Sequence, residues 1–230
     1  MKYIRRANER GKVDFGWLRS AHSFSFGSYY DPNHMGVSAL RVINDDIVEP
    51  AKGFDTHGHK DMEIISYVVS GALEHKDSRG NQYIVPEGDI QIMSAGRGIT
   101  HSEYNASKTE SVNFLQIWIQ PNQKGGEPRY GQQKIEQTSQ LTPLITPTGE
   151  NGTLSMLQDA YMSRLVLDSN ENFELNPGAR VGYLHIVKGN LVTDDGGLGP
   201  GDAIAVTGED LVIKADTPVE AIWFDLPPVQ

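Results

Sequence analysis

Apolar residues along this chain fall in short β-branched or aromatic runs, at 40–43, 64–69, 90–93, 114–119, 181–187, 204–206 and 221–226. Each run is closed by Gly, Pro, Asn or Asp, the punctuation of strands in an all-β sandwich or barrel. Sustained helical periodicity is scarce, and a doubly wound α/β fold needs a helix between most strands. The pattern therefore predicts an all-β protein.

The pattern also repeats. Tyr67-Val68-Val69-Ser70-Gly71-Ala72-Leu73 is matched by His185-Ile186-Val187-Lys188-Gly189-Asn190-Leu191, in each case a strand, a turn glycine and a second strand. Val85-Pro86-Glu87-Gly88-Asp89-Ile90 is then matched by Leu198-Gly199-Pro200-Gly201-Asp202-Ala203-Ile204, and Ile117-Trp118-Ile119 by Ile222-Trp223-Phe224. The order is the same in both halves, with shorter loops in the second, so two related β domains are expected. The stretch between them is rich in Gln, Pro, Gly and Thr, the composition of a connection. The expected division is 1–120, a linker at 121–150, and 151–230.

Composition narrows the chemistry. In 230 residues there is no cysteine, which removes disulfides, thiolate metal sites and a cysteine nucleophile. Any metal must sit on His and carboxylate. The formal charge of −10 opposes phosphate backbones and anionic lipid, so no direct nucleic-acid or membrane partner is expected. Arg5, Arg6, Arg10 and Lys12 form the one dense basic stretch, broken by Glu9 and Asp14, and read as a solvated face. No apolar segment has the form of a secretion signal or the length of a membrane span, and a cytoplasmic protein is expected.

Three of the seven histidines concentrate the chemistry in His57-Gly58-His59 and His101-Ser102-Glu103. Residues two apart on a strand share a face, so each motif offers two ligand atoms to one cavity. Two such strands facing one another could close a site of three histidines and one carboxylate. The 59–101 interval leaves room for the hairpin that returns the chain. Mixed nitrogen and oxygen ligation suits divalent first-row ions, zinc included, and open positions admit substrate or dioxygen. Glu63, at the spacing His57-x-His59-x-x-x-Glu63, competes with Glu103 for the anionic role and is placed behind the ligands or in the framework. His22 is read as a hydrogen-bonded core residue beside a pocket, and His34 and His75 as loop residues. The glycines of 196–201 are not followed by Lys-Ser/Thr and read as a hairpin turn, and no Gly-x-Ser-x-Gly elbow is present.

These residues resemble the pirins, members of the cupin superfamily. The resemblance runs over nearly the whole chain. It is carried by Arg6-Ala7-Asn8-Glu9-Arg10-Gly11, His22-Ser23-Phe24-Ser25-Phe26, Leu40-Arg41-Val42-Ile43-Asn44-Asp45-Asp46, the His57 motif through Glu63, and Met93-Ser94-Ala95-Gly96-Arg97-Gly98-Ile99-Thr100-His101-Ser102-Glu103. It implies a bicupin of two face-to-face β-barrels, with iron, Fe(II), held by His57, His59, His101 and Glu103 in the first. The second barrel is expected to hold no metal, because Leu175 and Pro177 fall where the first two histidines would. Bacterial pirins are associated with quercetin 2,3-dioxygenase activity, so the resemblance implies a flavonol-like substrate, O2 as co-substrate, and Glu103 as the catalytic proton acceptor. Other relatives are regarded as transcriptional cofactors or redox sensors, which implies the alternative of an iron-binding regulator acting through a protein partner. A zinc cupin acting as an isomerase is a third reading. A monomer is expected if the barrels bury each other's open faces.

Overall fold

The structure, a computed structural model, describes residues 2–229. Among these residues the only helical turns are two 3-10 segments, Ala7–Glu9 and Glu150–Gly152, and no helix is long and apolar enough to cross a membrane. Everything else regular is strand, arranged as two barrels, each a seven-stranded sheet with a four-stranded one.

The first large sheet runs in the order Arg129–Lys134, Asp89–Ser94, Glu63–Ser70, Val112–Ile119, Leu40–Val48, Leu18–His22, Gly11–Asp14. Its small sheet is ordered Gly53–His59, Ile99–Asn105, Ala72–Asp77, Gln82–Pro86. The second barrel repeats the plan, with Val181–Lys188, Val219–Leu226 and Tyr161–Leu167 central in its large sheet. Trp118 and Trp223, matched in the sequence repeat, sit on corresponding central strands. The bicupin expectation is met.

Period-two alternation explains why these strands read as continuous apolar runs. In Val112–Ile119, Val112 and Phe114 pack inside the first barrel, while Leu115, Ile117 and Ile119 join a core shared with the second. In Val219–Leu226, Val219, Ala221 and Trp223 fill the second barrel, while Ile222, Phe224 and Leu226 meet the first. Strands buried on both faces have no polar face to show. At roughly 1.5–3 kcal/mol per large side chain buried, those six interface residues contribute on the scale of a domain's net stability. The barrels thus stabilise each other.

Two segments depart from the expected division. Lys2–Arg5 pairs with Ala203–Thr207, Ile4 opposite Ile204, so the first strand belongs to the second barrel's sheet. Arg5 is accordingly buried rather than part of a solvated face: its Nε donates to the Ser23 carbonyl at 2.9 Å and its Nη2 to the Tyr29 hydroxyl at 2.9 Å. The stretch read as linker supplies Arg129–Lys134 to the first barrel and Leu141–Thr146 to the second. Its Leu144 and Ile145 are buried in the shared core, which a composition rich in Pro and Thr disguised.

The repeated turn glycines have a steric reason. Gly71 and Gly189 both adopt positive φ, +80° and +79°. A Cβ on Gly189 would lie 2.0 Å from the Pro218 carbonyl oxygen, against 3.0 Å from that of Ser111 at Gly71. Gly189→Ala is expected to cost about 3 kcal/mol or more in urea unfolding, and Gly71→Ala clearly less. Equal costs would locate the constraint in φ alone.

Candidate metal centre

The His57 and His101 strands are neighbours in the small sheet, with His57 directly opposite His101 and His59 opposite Ile99. Between His101 and Glu103 the register shifts, so that Glu103 stands opposite Phe54 rather than Asp55. This bulge lets Phe54, His57 and His59 all face inward although Phe54 and His57 are three apart. One nitrogen from each of His57, His59 and His101 lies within 4.8 Å of the others. The His57 and His101 rings are 4.5 Å apart between centroids, and those of His59 and His101 4.9 Å.

The protonation pattern suits a cation. His57 Nδ1 donates to the Asp55 carbonyl at 2.7 Å, which leaves Nε2 with a free lone pair. His101 is buried, and neither of its ring nitrogens has a hydrogen-bond partner. Burial, with the His57 and His75 imidazoles beside it, pushes its pKa down to about 3. Burial and the same kind of crowding from His101 and His57 bring His59 to about 4. Both rings are therefore neutral near pH 7, the form that binds a metal. Three converging ring nitrogens, with those of His101 buried and without a partner, fit a divalent ion.

Glu103 lies on the same inner face. Its Oε1 accepts from Ser66 Oγ at 3.0 Å, and its Oε2 from Gln116 Nε2 at 2.7 Å. Burial raises its pKa, while His75 and these donors oppose the rise. Within 4.8 Å it groups with His101 and His75. His75 is thus not a loop residue but a fully buried strand residue opposite Glu103 in register. Its Nε2 donates to Asp77 Oδ2 at 2.9 Å, and its Nδ1 is buried without a partner. His101 is the ring common to both groups.

Glu63 is elsewhere. It sits in the large sheet opposite Ser94, accepting from Ser94 Oγ at 2.7 Å and from the Leu157 backbone N–H at 3.2 Å, and so ties the first barrel to the 156–158 segment. Neither group of candidate ligands includes it.

A cavity of about 180 Å³ opens over His57, His59 and Glu103. Phe15, Phe26, Phe54 and Trp118 form much of its wall, and His22, Asn44, Asp46 and Gln116 add polar groups. Trp118 is held edge-on by His59 and Phe26, with ring centroids 5.0 Å and 5.2 Å away. Burial pushes the Asp46 carboxyl up to about 7. Sequence reasoning missed Asn44, Asp46 and Gln116, although each is a polar residue inside an apolar run, the signal of an inward polar face. In the second barrel Trp223 lies close against Gly182, where a Cβ would come within 2.0 Å of the indole, and Leu175 and Pro177 are buried. Among the described residues, both groups of candidate ligands belong to the first barrel.

Residues 3–119 match the family model described as Pirin, and residues 144–226 that described as Quercetinase C-terminal cupin domain. A quercetin 2,3-dioxygenase of Escherichia coli (strain K12) is 47% identical over 232 residues, spanning 100% of both chains. The crystal structure of the bacterial pirin YhhW from Escherichia coli in complex with nickel(II) superposes with a TM-score of 0.95 at 46% identity, covering 100% of both chains. A quercetin 2,3-dioxygenase structure from Acinetobacter baumannii, at 17% identity and TM-score 0.76, covers 98% of this chain and 86% of its own, and shares the fold.

Proposed function

The chain belongs to the pirin family, and from that premise we propose that it is a metal-dependent dioxygenase of the quercetin 2,3-dioxygenase type, opening a flavonol ring with O2. The observation that carries this reading is the cavity, lined by His57 and His59 and walled by aromatic side chains, with His101, whose two ring nitrogens have no partner, packed against both of those imidazoles. His57, His59, His101 and Glu103 are the residues that would hold the ion. Iron(II) is the ion we propose, and the nickel(II) complex of the Escherichia coli pirin supports binding of a divalent cation. When bound, such an ion supplies Lewis acidity toward the flavonol 3-hydroxyl and open positions for oxygen donors.

The side chains do the rest. Phe26, Phe54 and Trp118 offer apolar surface to a flat ring system and exclude water from it. Glu103 accepts the hydroxyl proton on a carboxylate oxygen, for which a buried carboxylate of raised pKa is suited. Ser66 and Gln116 fix the plane of that carboxylate. The chain acts as a monomer in this reading, since the apolar faces of its large sheets already cover each other.

Protein loaded anaerobically with ferrous iron and then exposed to air is expected to take up O2 and bleach quercetin absorbance in step. Chelator-stripped protein is expected to do neither. Bound iron with no O2 uptake in the presence of quercetin would overturn the reading.

A further inference from the structure

The inward face of the first barrel's large sheet carries one continuous polar row. His22, Asn44, Gln116, Ser66 and Gln91 stand in register across five adjacent strands, none more than 8% exposed. One end of the row has its partner within the protein. Gln116 and Ser66 donate to Glu103, Gln91 Nε2 donates to Ser66 Oγ at 3.0 Å, and the Tyr130 hydroxyl donates to Gln91 Oε1 at 2.8 Å. At the other end two atoms have no partner: His22 Nδ1 and Asn44 Oδ1 are buried without a hydrogen bond. In the adjacent row, Ser20 stands opposite Asp46, which is 4% exposed.

Leaving buried polar atoms unpaired costs stability, and folded proteins leave few without a reason. Here the unpaired end lines the same cavity as His57, His59 and Glu103. An oxygen acceptor and a carboxyl group side by side on a cavity wall call for a ligand bearing hydroxyl donors.

We propose that Asn44, Asp46 and His22 are specificity-determining residues that hydrogen-bond phenolic hydroxyls of the aromatic substrate other than the one facing the metal ligands. The proposal rests on the reading of the cavity as a flavonol pocket and adds which flavonols it takes. Asn44 Oδ1 and the Asp46 carboxyl accept from phenols. A ring with C–H or ether opposite Asn44 would leave its buried oxygen unpaired, and such sites reject the analogue lacking the hydroxyl.

The test compares quercetin with 3-hydroxyflavone, the same ring system keeping only the metal-facing hydroxyl. Both are titrated anaerobically into iron-loaded protein and followed by calorimetry. Wild type is expected to bind quercetin roughly 100-fold more tightly than 3-hydroxyflavone. Asn44→Leu and the shape-conserving Asp46→Asn are each expected to cut that ratio to about tenfold or less, with the loss falling on quercetin. Ligand-free Asn44→Leu is expected to melt no lower than wild type, since it removes an unpaired buried atom; a purely structural residue would lower the melting temperature. A ratio near one in wild type, or a ratio unchanged in both variants, would overturn the proposal. Absence of turnover with the binding ratio intact would overturn the dioxygenase reading instead, so the two failures are distinguishable.

Discussion

Glu103→Gln is expected to fold normally, to hold its divalent ion more weakly and to lose flavonol turnover by roughly 10²–10⁴-fold. The substitution conserves shape, so the pocket formed by Ser66, Gln91 and Gln116 still accommodates the side chain. One acceptor oxygen becomes a donor, and the Gln116 amide can turn its own oxygen toward it. Stability is expected to hold or rise. Burial already disfavours the charged form of Glu103, as its raised pKa records, and an amide does not bear that desolvation cost. What is lost is the negative charge opposite the cation and the oxygen that holds the substrate proton. Turnover number, iron stoichiometry and melting temperature, measured on one preparation, separate these effects. Wild-type turnover at equal iron content would remove Glu103 from both roles.

How much of this was visible in the sequence follows from what each feature depends on. The two motifs His57-x-His59 and His101-x-Glu103 were legible because strand geometry alone puts each pair on one face, and the sheet sets His57 opposite His101. His75 was hidden. In Leu73-Glu74-His75-Lys76-Asp77 the outward Glu74 and Lys76 surround it with charge, and the turn at 78–81 follows at once, so the stretch reads as solvated. Yet Leu73, His75 and Asp77 share the inward face, the same alternation that marks the apolar strands. The pairing of Lys2–Arg5 with Ala203–Thr207 left no local trace, because its partner lies at the far end of the chain. Four residues with one buried arginine look like a charged terminus until the sheet that receives them is known. The repeat was legible for a steric reason, since its turn glycines are the positions where a side chain meets a neighbouring backbone.

The buried His75 also defines the most discriminating experiment on the metal. Two groups of ligand atoms share His101, one adding His57 and His59, the other His75 and Glu103. His101→Ala must therefore disrupt either arrangement, and metal affinity is expected to fall by about 100-fold or more on losing one of four ligands. The fold should survive, since the substitution removes two buried nitrogens that have no partner and leaves a space bordered by other imidazoles. His75→Ala separates the two arrangements. Its Asp77 partner keeps the Arg79 and Asn81 backbone N–H groups and the Asn81 amide as donors, so no unpaired buried carboxylate results. With the ion on His57, His59, His101 and Glu103, His75→Ala is expected to retain metal within roughly tenfold of wild type, the scale of a supporting residue. Titration of each variant with ferrous iron, read with far-ultraviolet circular dichroism as the control for folding, gives both numbers. If His75→Ala loses metal as completely as His101→Ala while His57→Ala retains it, the cation belongs in the inner group and the outer histidines face substrate instead.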